Sequence, residues 1–239
     1  MVLFDNGIVS RLVLYLSSLF MSSLMNVMKS KNLSVPGCVD CQNKNSLFCS
    51  LNQGEKSTLE ANKGASFIKK GQVIFFEGNY PHGFYCVFKG TIKVSKLGEG
   101  GKEQIVRFAT SGELLGYRSV LNGESYMATA TAMEDSYVCH LSRDKFMEVM
   151  DGDNNLSMEL IRLLSNDLKN SEKKLISISQ KSVLERISET LVLLHDKFGL
   201  DEEGYIRLSL TRKEIGDIAG IATETTIRAL SDFSKKGVI

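Results

Sequence analysis

The stretch TRKEIGDIAGIATETTIRALSDFSKKGVI, residues Thr211–Ile239, decides the fold of this chain. Thr211 can cap the amino terminus of a helix, and Glu214 three residues later completes a capping box. Gly220 is placed to end that helix, and a second helix is expected to begin near Thr223. A helix, a glycine-containing turn and another helix form the helix-turn-helix, whose second helix lies in the major groove of DNA.

The second helix of this motif has one face suited to reading DNA. At about 100° per residue, Thr226, Leu230 and Phe233 face a core, whereas Glu224 and Arg228 lie together on the opposite side. Arginine can bind guanine with two hydrogen bonds, and glutamate can accept one from cytosine. The alternative is that Glu224 and Arg228 do not read bases and form only an exposed ion pair, which would stabilise the helix by a few tenths of a kcal/mol. We predict that DNA is contacted by Thr211, Arg212, Thr223, Glu224, Thr225 and Arg228, with the threonines of the second helix meeting phosphates or a thymine methyl group.

The charge balance limits how such a protein can hold DNA. The whole chain has a formal net charge of +1, and residues 181–239 carry nine Lys and Arg against ten Asp and Glu. Non-specific attraction to phosphates is therefore expected to be modest. Binding should depend on a few well-placed contacts and on their duplication in a dimer. The three histidines lie in no catalytic motif, and we expect no enzyme activity.

The middle of the chain has the pattern of antiparallel strands. From Gly64 onward, short runs rich in Val, Ile and Phe alternate with glycines, which is typical of a barrel or sandwich. The sequence LGEGGKEQ, Leu97–Gln104, predicts a hairpin loop. A further strand pair is expected within Tyr126–Leu141, and the period lengthens to that of a helix near Ser142.

A long helix should follow the strands. Its apolar residues recur at spacings of three and four, which indicates a coiled-coil seam with one polar position. A stripe packed on the chain's own strands is the alternative, but the opposite face is highly polar, which favours a homodimer. Beyond it we expect a helix over Ser182–Phe198 that ends at Gly199, and a short strand, YIRLSL, at Tyr205–Leu210. The predicted dimer interface consists of Leu160, Leu164, Leu168, Ser171, Leu175 and Ile178.

The amino-terminal part contains a cysteine group and an uncharged segment. Cys38 and Cys41 form a C-x-x-C pair, Cys49 follows, and the total of five cysteines is odd. This pattern indicates reduced thiols in the cytoplasm, which can bind metal or undergo redox chemistry. Leu12–Met28 carries no charge. Three interpretations of this segment stay open. It lies upstream of the true start codon, it forms an amphipathic or buried helix, or it anchors the chain in a membrane, which is the least favoured.

Several motifs in a fixed order carry a resemblance to a known family. KKGQVIFFEG and FKGTIKV precede the long helix, and LTRKEIGDIAG and ETTIRALSDFSKKGVI follow it. Over roughly Leu51–Ile239 the chain resembles the family of the cyclic-AMP receptor protein and the fumarate/nitrate reduction regulator. The resemblance implies a cytoplasmic, homodimeric transcription regulator that binds double-stranded DNA and RNA polymerase and does not act at a membrane.

The same resemblance implies an α+β fold with a defined order of domains. The expected parts are a β-roll (jelly roll) of the cyclic-nucleotide-binding type, a long dimerisation helix and a winged helix-turn-helix, with the wing truncated at Ile239. The expected domains are an amino-terminal extension with the cysteine cluster (1–50), a β-roll sensor domain (51–150), the dimerisation helix (151–181) and the winged helix-turn-helix (182–239).

The resemblance also suggests two kinds of effector. Gly112 and Glu113 resemble the first half of a cyclic-AMP site, but the position of the phosphate-binding arginine aligns with Tyr126, so cyclic AMP is disfavoured. Oxygen-sensing members hold a [4Fe–4S] cluster with three amino-terminal cysteines and one from the β-roll. The matching residues are Cys38, Cys41, Cys49 and Cys139.

Other interpretations of the thiols stay open. They are a redox-active thiol set, a zinc site with His140 as a conceivable ligand, and purely structural cysteines. Cys86 is expected to be a buried core thiol. The alternative function is a cyclic-nucleotide-type effector-binding regulator, or a signalling module, without a metal cluster. A thiol redox enzyme that uses Cys38 and Cys41 would need a βαβ context, which the sequence lacks.

Overall fold

The structure is a computed structural model that describes residues 35–41, 43, 46–61, 63–152 and 154–239. The uncharged segment Leu12–Met28 lies outside the described residues. One compact unit, Pro36–Ile239, contains the helices and strands described below. Among the residues described, no helix combines the length and the apolar character that crossing a membrane requires.

Within the described residues, eight strands form two antiparallel four-stranded sheets. In the first sheet the strand order is β1-β8-β3-β6, and in the second it is β2-β7-β4-β5. The strands are β1 (Gly64–Ile68), β2 (Val73–Phe75), β3 (Gly83–Lys89), β4 (Ile92–Leu97), β5 (Glu103–Ala109), β6 (Leu114–Leu115), β7 (Thr129–Ala132) and β8 (Ser136–Ser142).

The inner faces of the two sheets enclose one apolar core. Val87 and Val138 from the first sheet pack with Ile92 and Ala130 from the second, and all four are buried. Alternation along each strand sends every second side chain inward, so short runs of Val, Ile and Ala suffice to fill the space between the sheets. The predicted β-roll is confirmed.

Two predicted strand connections differ in outcome: the hairpin is present and the strand pair is not. The loop in Leu97–Gln104 joins β4 to β5 as a hairpin, as predicted, through a short 3-10 turn at Glu99–Gly101. The strands predicted within Tyr126–Leu141 are present as β7 and β8, but their interpretation as a pair was wrong. They lie in different sheets, because residues 133–135 cross from one sheet to the other.

Helices cover the outer face of the first sheet. The 3-10 turn Leu47–Ser50, helix α1 (Gln53–Glu60) and helix α3 (Arg143–Gly152) lie on this side, whereas α2 (Tyr117–Asn122) follows β6. The rings of Phe48, Phe84 and Phe146 meet in this layer, with centroids 4.7 Å apart for Phe84 and Phe146. This aromatic cluster fixes the cysteine-bearing segment against the sheet.

Helix α4 (Asn154–Gln180) is the predicted long helix, but its apolar stripe changes environment along its length. Leu160 is only 4% exposed, because the first turns pack on the chain's own fold. Leu160 is therefore buried inside the protomer and is not presented to a partner, which corrects its assignment to the dimer interface. Leu168, Leu175 and Ile178 are 62%, 68% and 45% exposed.

The carboxy-terminal helices follow the predicted boundaries. Helix α5 (Val183–Phe198) begins at a Ser182–Glu185 capping box and ends at Gly199. The short strand predicted at Tyr205–Leu210 was wrong. Within residues 205–210 only Ile206 forms a bridge, with Leu200, and its neighbours on both sides leave the strand conformation. Helices α6 (Arg212–Ala219) and α7 (Thr223–Lys235) complete the chain.

Candidate functional site

The helix-turn-helix corner forms as its local signals predict. Thr211 accepts a hydrogen bond from the N–H of Glu214 (3.2 Å) and donates its hydroxyl to the Glu214 carboxylate (2.9 Å). Gly220 ends α6 in the left-handed region, with φ of 68°, where a side chain would be strained. The inner face of α7 is buried at Thr226, where the hydroxyl donates to the carbonyl of Ala222 (3.1 Å).

The outer face of α7 presents the predicted base-reading pair to solvent. Glu224 and Arg228 are both exposed, on the side opposite to buried Thr226 and Leu230. The bond that joins them, within the part of the chain that the structure describes, runs from Arg228 Nε to the backbone oxygen of Glu224 (3.4 Å) and is not an ion pair. The surface-pair interpretation of these two residues is therefore not supported.

The other predicted DNA contacts differ in what their side chains already do. Thr223 and Thr225 are half-buried in the first turn of α7, and Arg212 is exposed at the start of α6. The Thr211 hydroxyl is occupied by its capping bonds with Glu214. Its defined role is thus to orient α6.

Three different elements bind the carboxy-terminal end of α6. Gln104 on β5 donates to the carbonyl of Ile218 (3.3 Å), and Lys174 on α4 donates to the same oxygen. Arg186 on α5 donates to the carbonyl of Gly220 (3.3 Å). The last carbonyls of a helix lack partners within it, so these side chains satisfy them and fix the turn. The sequence carried no signal for these contacts, because they join residues far apart in the chain.

An apolar and ionic interface joins the β-roll to the carboxy-terminal domain. Lys213 on α6 lies 2.5 Å from Asp217 and 3.4 Å from Glu103 on β5, and Lys93 lies 2.9 Å from Glu103. Burial would raise the pKa of Glu103, but its bonds with Lys93 outweigh this effect and lower it. The apolar part of the interface comprises Ile105, Phe108 and Met133 from the β-roll and Leu194, Leu208 and Ile218 from the carboxy-terminal domain.

Glu113, which together with Gly112 resembles the first half of a cyclic-AMP site, belongs to a second ionic contact between the domains. Its carboxylate accepts from the Thr110 N–H (2.6 Å) and from Lys197 of α5 (3.0 Å). Burial alone would raise the pKa of Glu113, but Lys197 and the Thr110 N–H lower it overall. The side chain is thus committed to holding α5 on the β-roll.

The β-roll contains a small cavity lined by Tyr126, the residue that aligns by resemblance with the phosphate-binding arginine of cyclic-AMP binders. The ring of Tyr126 is stacked on Phe75 at 3.9 Å, and the Tyr126 hydroxyl donates to the carbonyl of Gly83 (2.9 Å). A Cβ atom at Gly116 would lie 2.5 Å from the Tyr126 ring, so the two residues close the pocket together. The remaining volume of about 30 Å³ holds one or two waters, whereas ligand pockets measure hundreds of Å³. In this conformation the cavity is too small for a cyclic nucleotide.

Four thiols share the outer face of the first sheet. Cys86 on β3 and Cys139 on β8 are direct partners across the two strands, and both are buried. Cys38 and Cys41 are close enough to influence them electrostatically. Burial raises the pKa of Cys38 to about 11 against the opposing effect of Lys63, and burial raises the pKa of Cys86 to about 12. Burial raises the pKa of Cys139 as well, so Cys38, Cys86 and Cys139 are neutral thiols at pH 7.

The predicted ligand set is only partly assembled. Cys38, Cys41 and Cys139 are near enough to influence one another electrostatically, whereas Cys49 is exposed and donates its thiol to the carbonyl of Asn43 (3.0 Å). Among the described residues, no three His, Cys, Asp or Glu side chains are arranged to hold one metal ion. His140 lies on the other face of β8, against the ring of Tyr85, so it does not join the thiols.

Comparison with known proteins agrees with this architecture. Residues 66–153 match the model of the cyclic nucleotide-binding domain, and residues 185–239 match that of the Crp-like helix-turn-helix domain. Over 220 residues the chain is 30% identical to the fumarate and nitrate reduction regulatory protein of Vibrio cholerae, and the alignment covers 88% of this chain and 87% of that protein. The chain belongs to the Crp/Fnr family.

Further relatives within the Crp/Fnr family are regulators as well. The chain is 31% identical over 175 residues to the transcriptional activator protein anr of Pseudomonas aeruginosa, covering 72% of this chain and 71% of that protein. FixK2 from Bradyrhizobium japonicum has a similar structure, with a TM-score of 0.65 and 26% identity over 73% of this chain and 86% of that one. This Crp/Fnr protein is a DNA-binding transcription regulator and not an enzyme.

Proposed function

We propose that this regulator acts in the cytoplasm as a homodimer that reads a two-part site in double-stranded DNA with helix α7 of each protomer. The observation that carries the proposal is the exposed Glu224–Arg228 face of α7, opposite a fully buried core face. Family resemblance extends the proposal to contact with RNA polymerase. It also supports the division of the chain into parts 1–50, 51–150, 151–181 and 182–239.

The dimer interface is proposed on the exposed part of α4. Leu168 and Leu175 are one heptad apart, and Ile178 follows on the same stripe, with all three side chains exposed in the protomer. Half-buried Leu164 lies next to them. Ser171 is the polar residue of the stripe, and its hydroxyl donates to the carbonyl of Asp167 (2.9 Å), so a partner can cover it without leaving it unbonded. A twofold copy of this stripe would bury all these residues.

The DNA contacts are proposed residue by residue. Arg228 would hold a guanine through two hydrogen bonds, and Glu224 would accept from a cytosine amino group. Arg212 would contact a phosphate, which fixes register without carrying sequence information. Thr223 and Thr225 would bind phosphates beside the first turn of α7, while Thr211 orients α6 through its cap.

Selection of duplexes from a random pool tests the proposed DNA recognition. The recovered site is expected to have two related halves. Arg228→Lys keeps the charge but loses the two-pronged geometry, so we expect it to relax the preference at one base pair per half-site by about 1–3 kcal/mol. Arg212→Ala should weaken all sequences equally and reduce the salt dependence. An unchanged base preference in Arg228→Lys would refute the assigned role.

The proposed signal is oxygen or redox state, sensed through a [4Fe–4S] cluster on Cys38, Cys41, Cys49 and Cys139. Four thiolates are the donor set that such a cluster takes, and a cluster of this kind is labile to oxygen. The donors fit in chemistry, and three of the four share one layer of the structure. Because their raised pKa values keep Cys38 and Cys139 protonated at pH 7, ligation would release their protons and become stronger as the pH rises.

Cys49 is the thiol that would have to change its position. It lies on the 3-10 turn Leu47–Ser50, where its thiol bonds to the carbonyl of Asn43. We expect anaerobically purified protein to contain iron and sulfide and to show visible absorption. Cys49→Ser should lose the iron, the sulfide and the absorption. Cys86→Ser, which alters a buried thiol outside the proposed ligand set, should keep them. Colourless, iron-free protein from strictly anaerobic cells would contradict the proposal.

A further inference from the structure

Ile227 is an exposed apolar side chain within the polar face of α7. It is 44% exposed, while the neighbouring Thr226 and Leu230 are buried in the core of the domain. At about 100° per residue, Ile227 lies about 60° around the helix from Glu224. It therefore belongs to the same outward face as Glu224 and Arg228, in the second turn of the helix.

The chemistry of the major groove limits what an isoleucine can contact there. A single exposed apolar residue on a protein surface is ordinary. A residue on the groove-entering helix is different, because it displaces water from the base edges when DNA binds. Isoleucine has no donor or acceptor to replace the lost hydrogen bonds, so it disfavours polar edges. The apolar group that base pairs present in the major groove is the 5-methyl group of thymine.

We infer that Ile227 recognises the 5-methyl group of a thymine beside the base pair that Arg228 contacts. The inference rests on the proposed placement of α7 in the major groove. A β-branched side chain in a helix holds essentially one rotamer, so Ile227 presents its methyl groups with little loss of freedom. Burying one methyl-sized group is worth about fourfold in Kd per half-site, the equivalent of about 0.8 kcal/mol. Loss of this contact in both half-sites should raise Kd about fifteenfold.

Replacement of thymine by uracil removes this methyl group and nothing else. Starting from a selected duplex, one thymine position at a time is replaced by deoxyuridine in both half-sites, and Kd is measured by fluorescence anisotropy for each duplex. The proteins compared are the wild type, Ile227→Ser and Thr225→Ser, which removes the other nearby methyl group but keeps the hydroxyl. We expect one thymine position at which uracil weakens the wild type about fourfold per half-site and leaves Ile227→Ser unaffected.

The three proteins distinguish the possible results. Thr225→Ser should keep the sensitivity to uracil at that position. Equal sensitivity in Ile227→Ser, no sensitive thymine in the wild type, or loss of the sensitivity in Thr225→Ser would each overturn the inference while leaving sequence-specific DNA binding intact. Failure to select any preferred duplex would instead refute the proposed DNA recognition, and the role of Ile227 with it.

Discussion

Gly216 lies where α6 packs tightly on the turn and on α7, and it offers a sharp test of how the DNA-binding corner is built. A Cβ atom at this position would lie 2.8 Å from the backbone oxygen of Ile221 and 2.8 Å from the hydroxyl of Thr226. Thr226 is fully buried, so its side chain has no room to rotate away. Ordinary contact begins at 3.4 Å, so the turn at Ile221 and helix α7 would both have to move away from α6 by about 0.6 Å.

The expected cost follows from this overlap. Forcing extra atoms into a packed core costs about 1–3 kcal/mol. Gly216→Ala gains back about 1 kcal/mol, because alanine is the better helix former. We therefore expect Gly216→Ala to lose about 0–2 kcal/mol and the bulkier Gly216→Val to lose about 3 kcal/mol. Since the same shift moves α7, DNA affinity should fall in the same order.

Gly152→Ala is the matched control, because Gly152 is also helical, in α3, and a Cβ atom there would meet nothing within 4 Å. It should stabilise the protein by about 0.4–1 kcal/mol. The measurements are urea unfolding followed by circular dichroism and Kd for a selected duplex. If Gly216→Val unfolded at the same urea concentration as the wild type and bound DNA equally well, the close approach of the two helices would be refuted.

Three further perturbations test the remaining contacts. Above pH 4.5 the contact between Glu113 and Lys197 contributes fully to stability, and this contribution is lost as the pH falls through the lower pKa that Glu113 has in the folded protein. The difference in urea midpoint between wild type and Glu113→Gln should therefore shrink on acidification. Leu175→Asp should give monomers by sedimentation and weaken DNA binding, whereas Ile176→Asp, on another face of α4, should leave dimers. Ile105→Ala should cost about 2–5 kcal/mol and speed amide hydrogen exchange in α6, and unchanged exchange would contradict the docked arrangement.

The carboxy-terminal helices were predictable because their signals are local. The capping box of Thr211 and Glu214 and the stop at Gly220 act over three or four residues, so the sequence alone determines them. The orientation of Glu224 and Arg228 is equally local, because it depends only on the period of the helix. Tertiary packing reinforces these choices and does not have to override them.

The thiol layer was less predictable, because strand pairing joins residues that are distant in sequence. Alternation along β3 and β8 indicates which side chains share a face, but it does not reveal that Cys86 stands opposite Cys139. The periodicity of α4 likewise places Leu160 and Leu168 on one stripe. Which part of that stripe the rest of the protomer covers depends on where the helix packs, and the period carries no such information.

Helix α4 connects the β-roll, the proposed partner and the DNA-binding corner through one rod. Asp167 accepts a hydrogen bond from the Tyr117 hydroxyl at the β-roll, and Lys174 binds the end of α6 at Ile218. These two residues are seven apart, so they lie on one side of the helix, two turns from each other. The exposed residues Leu168 and Leu175 directly follow them in sequence. A partner packed on that stripe would therefore fix the same rotation of α4 on which both contacts depend. In the proposed dimer, the position of the recognition helix would thus depend on the dimer contact.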